Sequence, residues 1–124
     1  MTAKHVLVVD DAPSVTGVLQ FVLEAEGYDA SIAENGWAAI EAVDRRRPDL
    51  ILLDLGVPGL DGYQVCARLQ ERPETATIPI ILLTGTLASS GSPRLAGYPI
   101  RDFVLKPFSP RDLIERIRRV LDQA

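Results

Sequence analysis

The chain has 124 residues, 47% hydrophobic and 24% charged, with a formal charge of −4. That length suits one domain, the apolar content excludes a disordered chain, and the acidic balance argues against nucleic acid as the main partner. The single cysteine, Cys66, excludes an intrachain disulfide and a multi-cysteine zinc site, and no apolar run approaches the ~18 residues of a membrane span. With no cleavage-site pattern near Met1, the expectation is one soluble domain, cytoplasmic, without membrane insertion.

In chain order, the first apolar run is His5 to Val9. A stripe at helical spacing follows, Val15, Val18, Leu19, Val22 and Leu23, ending at Gly27. Asp29 to Ala33 is a weaker run, suited to an edge strand. Trp37, Ile40 and Val43 make a short stripe after Asn35-Gly36, with Trp37 open to either a core or a surface role. Leu50 to Leu53 is the third run. Asp61 is then placed to cap a helix carrying Tyr63, Val65, Cys66 and Leu69. Ile78 to Leu83 is the fourth run. Ala88 to Pro93 holds turn formers where a fourth helix should begin, so that helix is expected to be short, displaced or missing. Phe103 to Leu105 is the fifth run. Ser109, Pro110 and Asp112 mark the start of a last helix with Leu113, Ile114, Ile117, Val120 and Leu121 on one face. The runs are continuous rather than alternating, as in strands covered on both faces, and they alternate with helices. The pattern is that of an α/β doubly wound parallel sheet.

All strands of such a sheet point one way, so the residues just after each run share one rim, where ligands bind. Asp10 and Asp11 follow the first run, Asp54 the third, Thr84 closes the fourth and Lys106 the fifth. Carboxylates about 4 Å apart repel by about 4 kcal/mol per pair at an effective dielectric of about 20. A bound cation relieves this, and hard oxygen ligands suit Mg²⁺. With Lys106 opposite, the rim can manage the charge of a phosphoryl group, and an aspartate can accept it as an acyl phosphate.

These residues carry a resemblance. Asp10-Asp11, the segment Asp54 to Gly62, Thr84-Gly85 and Lys106-Pro107-Phe108 resemble the receiver domain of two-component response regulators, over essentially the whole chain and in the same order. The resemblance implies a five-stranded sheet of order 2-1-3-4-5 and a phosphoacceptor at Asp54, charged by a sensor histidine kinase or a phosphotransfer protein. It implies Mg²⁺ (or Mn²⁺) on Asp11, Asp54 and the Gly56 carbonyl, with Asp10 acting through water. It implies that Lys106 and Thr84 contact the phosphoryl group, that Phe103 rotates on switching, and that Pro107 follows a cis bond. Phe103 stands where tyrosine is frequent, and Gly56 where the family often has a bulkier residue. The downstream target is an unknown protein, and residues 1–124 are expected to be one receiver unit with no output domain and no turnover of an external substrate.

Two other readings use the same residues. One is a docking module of receiver fold that no longer takes phosphate. The other is a flavodoxin-shaped enzyme, opposed by the acidic loop Asp10 to Ser14, whose Pro13 lacks the amide a phosphate cradle needs, and by Gly56, where an aspartate-nucleophile hydrolase carries a second acid. Arg45-Arg46-Arg47 falls at a helix C-terminus, where the dipole favours cations, and is too short for a nucleic-acid stripe. His5 has no second histidine with which to bind metal.

Overall fold

Each continuous apolar run becomes a strand because both faces of the sheet are covered by helices. The computed structural model describes residues 3–85 and 93–122. Its elements are β1 (His5–Val9), α1 (Pro13–Ala25), β2 (Asp29–Ala33), α2 (Gly36–Arg45), β3 (Leu50–Asp54) and α3 (Gly62–Gln70). There follow a one-turn α4 (Pro73–Ala76), β4 (Ile80–Thr84), a 3-10 turn (Pro93–Leu95), β5 (Ile100–Leu105) and α5 (Pro110–Asp122). The strands form one parallel sheet of order β2-β1-β3-β4-β5, with β2 at an edge.

The two-residue period of the strands divides the core. Leu7, Val9, Ile51, Leu53, Ile80 and Leu82 pack with Ala39 and Val43 of α2 and Val65, Cys66 and Leu69 of α3. Val6, Val8, Leu50, Leu52, Ile81 and Leu83 pack on the other face with Leu19 and Leu23 of α1 and the α5 stripe. Between β4 and β5 the register slips: Ile80 pairs with Ile100, but Ile81 pairs with Asp102. Arg101 is the extra residue, and the bulge sets Phe103 opposite Leu82, on the α2/α3 face.

Local chemistry starts each helix. Pro13 occupies the first position of α1, where no amide hydrogen is required. Asn35 accepts the Ala38 amide at 2.8 Å, and Asp61 and Gln64 form a reciprocal capping box at α3. Ser109 Oγ accepts from the Asp112 amide at 3.3 Å. The stripe read on α2 holds at Val43 and in part at Ile40, and its open position, Trp37, lies outward. Gly36, Ala39 and Val43 face the core, Ile40 is half-buried, and Trp37 is 53% exposed. The cause is a close backbone approach: a Cβ on Gly36 would lie 1.7 Å from the Leu60 carbonyl oxygen. Only glycine fits there, which turns Trp37 outward.

Among the described residues of the β4–β5 connection there is only the 3-10 turn, whose Leu95 is buried and whose Arg94 stacks 3.8 Å over the Tyr63 ring. The expectation for 88–92 lies outside the described residues. At the opposite end of the sheet, Arg46 pairs with Asp29 at 2.8 Å and Arg47 donates to the Glu74 carbonyl at 2.8 Å, so two of the three arginines tie elements together. Among the described residues no helix is long and apolar enough to cross a membrane.

His5 sits buried at the start of β1, its Nε2 2.7 Å from Ser31 Oγ. Burial lowers its pKa below the ordinary 6.5, with a smaller push from Arg46, against the opposing charges of Asp29 and Asp49. The unfolded chain therefore binds the proton first as pH falls, and this part of the stability is present above about pH 6.5 and lost below it. Urea unfolding from about pH 7 down to about pH 5 should lose stability less steeply in His5→Leu than in the unaltered chain. Equal slopes would refute the linkage.

Candidate functional site

Parity decides which side chains meet at the rim. Asp10, Asp54 and Lys106 continue the alternation of Val8, Leu52 and Val104, which face α1 and α5. Thr84 continues that of Leu82, on the other face, diagonal to Phe103 on the neighbouring strand. The ladder between β4 and β5 continues one residue past β5, the Lys106 amide donating to the Thr84 carbonyl at 2.8 Å. From there the Lys106 ammonium donates to Asp10 Oδ2 at 2.6 Å and to Asp54 Oδ2 at 3.1 Å.

The remaining carboxylate oxygens have backbone partners. Asp10 Oδ1 accepts from the Ala12 amide at 3.0 Å, and Asp54 Oδ1 accepts from the Gly56 amide at 2.9 Å. The Asp10 side chain has no solvent exposure, so its charge is tolerable only with these partners. Asp11 is exposed beside them. Asp10, Asp11 and Asp54 each offer an oxygen, all within 4.8 Å of one another. This hard, all-oxygen donor set fits Mg²⁺ or Mn²⁺, which take carboxylate and carbonyl ligands and keep several waters. Burial by itself would lower the Lys106 pKa, and the hydrogen bonds and charges of Asp10 and Asp54 outweigh it and raise it. The ammonium is thus charged throughout the neutral range.

The structure therefore brings Asp10, Asp11, Asp54 and Lys106 together. Thr84 is buried at the end of β4, and Phe103 lies half-buried one strand away. The Lys106–Pro107 peptide is cis. Gly56 is exposed at the mouth, directly after Asp54-Leu55. The Cys66 thiol lies apart from the site in the α2/α3 core, where burial pushes its pKa up to about 12 and keeps it protonated. Two features escaped the linear reading. The Ala12 amide that holds Asp10 is a backbone group without a side-chain signal. The seam between α2 and the loop after β3 shows in the sequence only as isolated glycines, Gly36 and Gly59.

The chain belongs to the response regulator receiver domain family, whose model matches residues 6–118. It is 40% identical over 123 residues to a probable transcriptional regulator, ycf27, of Porphyridium aerugineum, covering 98% of this chain and 49% of that protein. The chain spans about half the length of the curated relatives it matches. Among solved structures, a putative response regulator from Chloroflexus aurantiacus superposes with a TM-score of 0.86 at 33% identity, covering 98% of this chain and 99% of that one. The receiver domain of a sensor histidine kinase from Pseudomonas aeruginosa, with a magnesium ion coordinated in its active site cleft, gives 0.83 at 27% identity, covering 98% and 99%.

Lys106→Met keeps the aliphatic stem and removes the charge. It should cost about 3 kcal/mol in urea unfolding near neutral pH, because a buried carboxylate loses its partner. The same change in an Asp10→Asn background should cost clearly less. Equal costs in the two backgrounds would show that the ion pair is not what stabilises the rim.

Proposed function

We propose that residues 1–124 form one receiver unit in which Asp54 accepts a phosphoryl group from a sensor histidine kinase or a phosphotransfer protein. The observation that carries this reading is the Lys106 ammonium bonded to both Asp10 and Asp54, with Asp11 within ligand reach. Asp11, Asp54 and the Gly56 carbonyl would hold a divalent ion, with Asp10 acting through water. That ion would supply positive charge against the oxygens of the transferring group.

The chain's own residues do the rest. An oxygen of Asp54 forms the bond to phosphorus as the P–N bond of the donor phosphohistidine breaks, its electron pair leaving with the imidazole nitrogen. Lys106, already on Asp54, pairs with the new phosphoryl oxygens while keeping Asp10. The Thr84 hydroxyl donates to another of those oxygens, and Phe103 turns into the space that Thr84 leaves. Phosphorylation puts about −1.5 to −2 charges where one carboxylate stood, enough to drive such a local rearrangement.

The donor has a surface to meet. Ser14, Val15, Val18, Lys106, Pro107, Phe108 and Pro110 line a mainly apolar groove of about 410 Å³ beside the rim. Val18 is 47% exposed and Phe21, on the same helix, 76%. We read this as the face that docks the kinase. The altered face of the phosphorylated unit would then recruit a downstream protein; no nucleic acid contact is proposed.

Intact mass spectrometry with acetyl phosphate tests the reading. The chain should gain the mass of one phosphoryl group with Mg²⁺ and stay unmodified with chelator, and Asp54→Asn should abolish the gain. An unmodified chain, with no spectral response to beryllofluoride and Mg²⁺, would instead identify a docking module that does not use phosphate.

A further inference from the structure

The loop from Leu55 to Asp61 carries the Gly56 carbonyl, and the structure holds it unevenly. On its inner side Leu55, Val57 and Leu60 are buried, and the Gly62 amide donates to the Leu55 carbonyl at 3.0 Å. Its outer side, Gly56, Pro58 and Gly59, is exposed, and Gly59 has φ +75°, a conformation that glycine adopts without strain. Two glycines give this outer half little side chain with which to anchor itself. Its cover comes from α2. The Gly36 amide donates to the Pro58 carbonyl at 3.3 Å, and the Trp37 ring lies on Gly59, its Cδ1 3.3 Å from where a Cβ would stand. The Arg68 guanidinium of α3 sits 5.1 Å over the same ring. Trp37 is thus a clasp joining α2, the loop and α3, made by a residue that contributes little to the core.

We propose that Trp37, in contact with both Gly59 and Arg68, is a positioning residue that fixes the loop so that the Gly56 carbonyl faces the divalent-ion site. This rests on the reading of Gly56 as a ligand given above. Mg²⁺ demands near-ideal octahedral geometry, so a ligating carbonyl on a loosened loop weakens binding even when both carboxylates stay in place. Groups that orient a ligand from outside the coordination sphere commonly control affinity in this way. The half-exposed ring makes loss of positioning separable from loss of fold.

Calorimetric Mg²⁺ titrations of the unaltered chain and of Trp37→Ala, Trp37→Phe and Arg68→Ala test this, alongside urea unfolding in chelator and amide exchange at Val57, Gly59 and Leu60. Trp37→Ala should weaken Mg²⁺ binding several-fold, up to about tenfold, and speed exchange at Gly59 and Leu60, with little change in the urea midpoint. Trp37→Phe, which keeps a ring for Gly59 and Arg68 to pack on, should restore most of the affinity. Arg68→Ala should weaken binding less, and add nothing to Trp37→Ala. Unchanged Mg²⁺ affinity in a folded Trp37→Ala chain overturns the role of Trp37, as does an affinity loss that merely follows a fall in the urea midpoint. If the unaltered chain binds no Mg²⁺, or Asp11→Asn leaves its binding unchanged, it is the metal-site reading that fails.

Discussion

An ammonium held between two carboxylates, Lys106 between Asp10 and Asp54, organises the rim of this sheet. Asp10 is wholly buried, and a buried carboxylate without partners is either neutralised or strongly destabilising. Its partners come from two places, the Ala12 amide at the start of α1 and an ammonium delivered from beyond β5. The contact therefore requires the parallel order in which β1 and β3 are neighbours and the Lys106 side chain reaches them from the end of β5, past β4. Fold and site are one constraint seen from two sides.

The same constraint divides the rim residues between two parities. Asp10, Asp54 and Lys106 lie on the parity that faces α1 and α5, whereas Thr84 and Phe103 lie on the parity that faces α2 and α3. Asp54 and Thr84 thus stand on opposite parities of the neighbouring strands β3 and β4. The bulge at Arg101 matters here, because without it Phe103 would exchange faces with its neighbours and no longer lie diagonal to Thr84.

The loop after β3 is held by a different kind of contact. It is fastened through backbone approaches that only glycine permits: Gly36 against the Leu60 carbonyl, and Gly62 against Leu55, where a Cβ would lie 2.5 Å from Cα. Trp37 lies against the exposed side of that loop at Gly59. The apolar groove beside Lys106 and the exposed Val18 and Phe21 lie by α1, so this surface and the Trp37 contact with the loop are carried by different helices.

The linear order of residues determined the strand and helix pattern, the caps at Asp61 and Ser109, and the acids and lysine of the rim. These follow from continuous apolar runs, from polar side chains that bond nearby amides, and from the rule that parallel strands end on one side. The edge position of β2 was legible too, in the weakness of its apolar run. What only the tertiary structure decided depends on distance between segments remote in sequence. The outward turn of Trp37 follows from a carbonyl of Leu60 that no helical periodicity can register. The parity of Phe103 follows from one extra residue in β5, and the charge on Asp10 is secured by an ammonium 96 residues away.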